Sequence, residues 1–271
     1  MNVGIHFSNY YWEPPKEKHF QDLRLAKPEC IKTCLFSTPR FDQVAVHRRL
    51  RQEHPNALIV ARLFADMGGG AWRPADFVAA FQAAIESVKP YVAWFEIHNE
   101  PNLDATQAGY SEGFGHTDAD FANFRAWFDE VRGVTAEDGL RRNHPWAKWV
   151  FPGNAIHRYW EFWGALLPSI RTCDAWGVHA YWQHGHYADP VFGRSYERAR
   201  QLLPDMPQII TECGESTNGL SPRDKIPIYL EWLREVDTKP LCAAVMPWVR
   251  RSISWAERKI GSPTPTGPTL T

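Results

Sequence analysis

Eight short apolar runs, alternating with stretches of helical period over about 250 residues, predict an α/β chain whose strands close into a single eight-stranded (β/α)8 TIM barrel. The runs occupy residues 2–7, 30–36, 57–64, 91–100, 148–155, 175–182, 208–215 and 242–249. Several are continuously apolar rather than alternating, as parallel strands covered on the outside by helices require. No Gly-rich phosphate loop follows the first run, which argues against an open dinucleotide-binding sheet.

The helices between the strands follow from spacing. Phe77, Ala80, Phe81, Ala84, Ile85 and Val88 repeat at helical period over 75–88,. Phe121, Phe124, Phe128 and Val131 do so over 121–131, and Ile226, Tyr229, Leu230, Leu233 and Val236 over 226–236. Pro222 suits the first turn of that last helix, with Ser221 as its cap. Gly68, Gly69 and Gly70 follow the third strand without a Lys-Ser/Thr and read as a loop. Residues 102–116 have loop composition and form the longest gap, an insertion on the side where barrels carry their activity. The last helix must be short and fall within 252–260. The barrel is expected to span 1–261, with 262–271, rich in Pro and Thr, as a disordered tail.

Composition narrows the function. The chain has 271 residues, 44% hydrophobic and 23% charged, and a formal net charge of -1. That balance gives no electrostatic case for nucleic acid or an anionic membrane surface. Five cysteines without a C-x-x-C pair read as buried thiols rather than a disulfide framework or zinc knuckle,. No basic segment leads into a long apolar one at the amino terminus, and no run approaches a membrane span. The expected setting is intracellular for the chain as it stands, or secreted if it is a trimmed form. Most of the 13 Trp, 15 Phe and 9 Tyr are expected to fill cores, but a Trp at the mouth of a loop can cover the C–H face of a sugar,.

In a β/α barrel the carboxyl ends of the strands hold the site. Strand four ends in His98-Asn99-Glu100-Pro101-Asn102 and strand seven in Thr211-Glu212-Cys213-Gly214. Two glutamates three units apart in a ring of eight face each other across the mouth. Opposed carboxyl groups are what glycosidic bond cleavage needs: one protonated to donate to the leaving oxygen, one ionised to attack. A separation of about 5–5.5 Å goes with retention and about 6.5–9.5 Å with inversion. Glu215 competes with Glu212 from a position expected to lie in the loop, and Glu96 competes with Glu100 from deeper in the barrel.

The pair FEIHNEPN and ITECGES resembles the large clan of retaining barrel glycosidases that includes cellulase-like, mannanase-like and xylosidase-like families. The resemblance follows the whole chain in strand order. It implies Glu100 as acid/base, Glu212 as nucleophile, and Asn99 as the residue that hydrogen-bonds the sugar 2-hydroxyl. Side chains of adjacent strand residues point oppositely, so the strand must bend or bulge for Asn99 and Glu100 both to reach the site. His179-Ala180-Tyr181 resembles the clan's His-x-Tyr, which makes Tyr181 the hydroxyl donor to Glu212 and His179 a sugar contact. Arg62 would match the Arg that keeps the nucleophile ionised, and Trp248 the stacking Trp. Core packing for His179 and Trp248, and a helix-side ion pair for Arg62, are the competing readings. The loop at 102–116 matches nothing in the clan.

The resemblance implies hydrolysis of a β-linked carbohydrate with net retention, without cofactor or metal. Two other classes compete: an inactive carbohydrate-binding barrel, and a metal-dependent barrel hydrolase. The latter usually needs His-x-His on strand one, where this chain has His6 alone. His184-Gly185-His186 has metal-like spacing but reads as loop.

Overall fold

The computed structural model describes residues 2–7, 14–65, 72–103, 113–155, 160–217, 220–239 and 242–247. Trp248, the glycines at 68–70, most of the 102–116 loop, the helix expected at 252–260 and the 262–271 tail lie outside the described residues.

The element order is β1 (Asn2–His6), α1 (Glu17–Ala26), β2 (Cys30–Phe36), α2 (Gln43–Glu53), β3 (Leu58–Phe64), α3 (Pro74–Val88), β4 (Trp94–Ile97), α4 (Asp118–Arg132), α5 (Leu140–Asn143), β5 (Lys148–Phe151), α6 (Trp160–Ile170), β6 (Ala175–Trp182), α7 (Ser195–Leu202), β7 (Gln208–Glu215), α8 (Pro222–Asp237) and β8 (Cys242–Pro247). The strands form a closed barrel in chain order, all parallel, with β1 returning to pair with β8. The fold is a (β/α)8 barrel.

Local chemistry fixes the helix ends. Thr117 accepts from Asp120 N while Asp120 accepts from Thr117 N, a capping box that starts α4,. Ser221 and Asp224 do the same for α8, with Pro222 opening the helix,. Gly133 stops α4 at φ 82°, a left-handed conformation that a residue without Cβ adopts at no steric cost,.

Two apolar layers separate the faces of the strands. The outer and larger layer joins the helices to the barrel through Phe81, Ile85, Phe95, Phe124, Phe128, Trp149 and Trp176. Each such buried side chain is worth roughly 1.5–3 kcal/mol relative to exposure. The inner layer is a plug at the amino-terminal half of the barrel, made of Cys30, Val60, Val150, Ala175, Ile209 and Ala244. Above the plug the interior turns polar: His6, Lys32, Arg62, Glu96, His179 and Glu212 are all buried. So abrupt a change from apolar to charged inside one barrel marks the candidate site.

Two strands differ most from the sequence expectation. β4 stops at Ile97 and β5 at Phe151, both shorter than their apolar runs. For β4 the cause is a positive φ of 74° at His98, which breaks the extended backbone,. Glu215, weighed as a competitor from the loop, is the last residue of β7, where its apolar run ends. Cys30, Cys34 and Cys213 are buried, and Cys173 is half-buried.

Candidate active site

Glu212 reaches the barrel interior through an irregularity in β7. Ile209 belongs to the inner plug and Ile210 to the outer core. Strict alternation would then turn Thr211 inward and Glu212 outward. Instead the β6–β7 register runs Val178↔Ile210, then His179↔Glu212, skipping Thr211. The extra residue resets the phase, so Glu212 faces in and Cys213 joins the outer core,.

Glu100 arrives differently. It stands three residues beyond the end of β4, with φ values of 74° at His98 and 40° at Glu100. Non-glycine residues held in the left-handed region cost about 1–3 kcal/mol each and persist where surrounding contacts impose them. The contacts are visible. The turn throws the His98 ring outward among Phe114, Phe124 and Trp127. Glu100 N donates to Gly153 O at 3.0 Å. The Asn102 amide donates to Ala155 O and accepts from Ala155 N, both at 2.8 Å. The loop after β4 is thereby clamped to the loop after β5. Asn102, read from sequence only as the start of a loop, is 2% exposed and holds Glu100 in place.

The two carboxylates meet across His179. Its Nδ1 lies 2.7 Å from Glu100 Oε1, and its Nε2 lies 4.0 Å from Glu212 Oε1. A carboxylate oxygen of Glu100 and one of Glu212 come within 4.8 Å of each other. His179, expected as a sugar contact, has its side chain buried and bonded to Glu100. Tyr181 donates to Glu212 Oε2 at 2.6 Å, and Arg62 Nη1 donates to Glu212 Oε1 at 3.1 Å. Asn99 is half-buried, and its Oδ1 has no hydrogen-bond partner. Glu215 is buried but occupied: Oε1 takes the Thr217 amide and hydroxyl, and Oε2 takes the Gly185 amide. It pins the loops after β6 and β7 together.

Three buried groups of the site escaped the sequence reading. Lys32 on β2 puts its ammonium 2.7 Å from Glu96 Oε2 and 3.1 Å from Glu212 Oε1. Glu96, weighed only as a rival acid, is the partner of that lysine. His6 on β1 completes the group. The one signal available was a lysine in the middle of the apolar run CIKTCLF, where a charge needs a partner.

The electrostatics divide the two glutamates. Burial alone would push the Glu212 carboxyl up. Lys32, His179, Arg62 and His6 outweigh it and hold Glu212 well below the usual carboxylate range,. Burial, with Lys32 beside it, lowers His6 well below its ordinary value. Burial and the two glutamates push the Tyr181 hydroxyl well above 10, so it stays a donor. Glu100, His179 and Glu212 also offer three ligand atoms at metal-like spacing, but Lys32 and Arg62 already neutralise Glu212, which disfavours a dication there,.

Two expectations follow. A Cβ added at Gly153 would fall 2.2 Å from His179 Cδ2. Gly153→Ala should therefore displace the imidazole from Glu100 and break the His179–Glu100 hydrogen bond. A crystal structure of the variant with the ring unmoved would refute the coupling. The second concerns pH. Because the folded value of Glu212 is depressed, its contribution to stability is fully present above the ordinary carboxylate value of 4.5 and is lost as pH falls through the folded value,. The melting-temperature difference between the protein and Glu212→Gln should be flat above about pH 5 and narrow only below it. A gap that closes between pH 7 and 5 would contradict the assignment.

No protein-family model and no curated protein matches the sequence. Solved structures do match the fold. A D341A D367A calcium-binding mutant of Bacteroides uniformis β-glucuronidase 2 superposes with a TM-score of 0.63 at 11% identity, over 91% of this chain and 30% of that one. A family 39 glycoside hydrolase from the gut symbiont Bacteroides cellulosilyticus WH2 gives 0.62 at 12% identity, over 91% and 55%. A GH128 (subgroup I) endo-β-1,3-glucanase from Amycolatopsis mediterranei gives 0.54 at 12% identity, over 96% and 99%. The chain thus spans under a third of the β-glucuronidase and about half of the family 39 enzyme. At these identities the likeness is one of fold. Among the described residues, no helix is long and apolar enough to cross a membrane.

Proposed function

We propose that this barrel hydrolyses β-linked glycosides with net retention, Glu212 acting as nucleophile and Glu100 as acid/base. The observation that carries the reading is the pair itself: two carboxylates within 4.8 Å at the carboxyl end of the barrel, one of them held ionised by two cations and a tyrosine hydroxyl. That approach is closer to the roughly 5–5.5 Å of retaining pairs than to the roughly 6.5–9.5 Å that makes room for an inverting water. The glycoside hydrolases that share the fold add to the case.

The steps follow from the geometry. The Glu212 carboxylate attacks the anomeric carbon, the bond to the leaving oxygen breaks, and Glu100 gives its proton to that oxygen. Water then attacks the anomeric carbon and passes a proton to Glu100, while the ester bond breaks and Glu212 regains its charge. Tyr181 and Arg62 hold the nucleophile in one rotamer. Asn99, with its free amide oxygen, is the proposed partner of the sugar 2-hydroxyl, and Trp248 the proposed stacking platform. The carbohydrate is the only partner the reading requires. An inactive sugar-binding barrel is disfavoured, because binding alone does not call for a buried carboxylate kept ionised opposite a second one. The test is a panel of aryl β-glycosides and β-glucans, with Glu100→Gln and Glu212→Gln as controls. Turnover lost in both variants supports the reading. Turnover that survives in both, or inverted product anomers by NMR, refutes it.

A further inference from the structure

Lys32 and Glu96 lie beneath the catalytic pair, and the double displacement just described uses neither. Both side chains are fully buried, at 0% exposure. A buried charge costs several kcal/mol unless it is paired, so neither would be tolerated alone. The ammonium bridges two carboxylates, Glu96 Oε2 at 2.7 Å and Glu212 Oε1 at 3.1 Å. Glu96 Oε1 lies 3.5 Å from Gly153 N, and the space beside it exists because position 177 is glycine, where a Cβ would come within 3.1 Å of that oxygen. The barrel is thus shaped to hold this glutamate at this depth.

The charges around the group are asymmetric. Facing Glu212 are Lys32 from β2, Arg62 from β3, His6 from β1, and His179 and Tyr181 from β6. Lys32 and Arg62 both contact Glu212 Oε1, while the close ionisable partner of Glu100 is His179. With Glu96 present, the buried charges Lys32, Arg62, Glu96 and Glu212 sum to zero. Without Glu96, Lys32 would leave a net positive charge under the site, which burial disfavours.

We propose that Lys32, held in place by Glu96, is a positioning residue that directs the negative charge of the catalytic pair to Glu212. The inference rests on the reading of Glu212 as nucleophile. Arg62 supplies the same sign of field from the side, and Lys32 supplies it from below. Glu96 acts only through Lys32 and touches no substrate.

The experiment is a carboxyl-carbon NMR titration of Glu212 in four proteins: the parent, Lys32→Met, Glu96→Gln, and the double variant Lys32→Met/Glu96→Gln. The acid limb of kcat/KM is measured alongside. Lys32→Met should raise the Glu212 midpoint by about 1–3 pH units, the effect of removing an opposite charge at contact distance. Glu96→Gln should move it the other way, because a neighbouring negative charge has gone. The double variant, which leaves no buried charge unpaired, should fold even if Lys32→Met does not, and its midpoint should stand above the parent's. A purely structural pair would change melting temperatures without moving the midpoint. An unmoved midpoint in the folded double variant overturns the inference. If the midpoint moves but no glycoside is turned over by the parent, the proposed function fails and the electrostatic coupling stands. If glycosides are turned over and the acid limb ignores both substitutions, the inference alone fails.

Discussion

Glu212→Ala is expected to abolish hydrolysis of unactivated β-glycosides, by about 10⁴-fold or more in kcat/KM, which corresponds to about 5.5 kcal/mol of transition-state stabilisation. The size follows from its position. Glu212 is 1% exposed, takes a 2.6 Å hydrogen bond from Tyr181, and contacts two cations. Neither rival glutamate can replace it: Glu215 is tied to Thr217 and Gly185, and Glu96 to Lys32. Removing the side chain leaves a small cavity beside Lys32 and Arg62 that suits an anion. Azide should enter it and attack an activated β-glycoside from the face Glu212 used, giving the α-glycosyl azide. Product stereochemistry by proton NMR is the check. A β-azide would assign the nucleophile's role to Glu100.

Glu100→Ala should behave in a way that depends on the substrate. Removing a general acid costs about 10²–10⁴-fold where the leaving group needs a proton. With a very acidic phenol as leaving group the first step should stay near the parent rate, and the glycosyl ester on Glu212 should accumulate, visible as a burst of phenol. Azide should then attack that ester and give the β-glycosyl azide. The structure adds a second consequence. Glu100 Oε1 is the partner of His179 Nδ1, and Gly153 O is the partner of Glu100 N. The truncation therefore frees the imidazole while leaving the backbone clamp in place. The protein should fold normally, and intact mass spectrometry should show the covalent adduct at Glu212. Uniform loss of rate for all leaving groups, with no burst, would take the acid's role away from Glu100.

The two glutamates also show how function is distributed over the chain. Glu100 and Lys32 both lie near Glu212, from 112 and 180 residues away along the sequence. Contacts of that separation exist only once the eighth strand closes on the first. The pH and substitution effects expected here are thus properties of the closed barrel and should vanish with it in denaturant.

The sequence by itself determined the number and order of the strands, because apolar runs and helical periods are local signals that survive without knowledge of partners. β2, β6 and β7 match their runs residue for residue. The sequence also pointed to Glu100 and Glu212, since strand position in an ordered barrel maps directly to place around the mouth, and its resemblance to the barrel glycosidases pointed to Tyr181 and Arg62. Only the tertiary structure decided the rest. Whether Glu212 faces in depends on the skipped register at Thr211, a feature of how β7 pairs with β6 and not of either strand alone. Glu100 reaches the mouth through left-handed backbone at His98 and Glu100 that no local propensity favours, imposed by the Asn102–Ala155 clamp and the aromatic cluster around His98. The ion pair of Lys32 with Glu96 was not legible because a lone charge in an apolar run does not name its partner. The closed barrel supplies that partner by bringing strands two, four and seven to a common axis, where each charge is buried and must find an opposite one,.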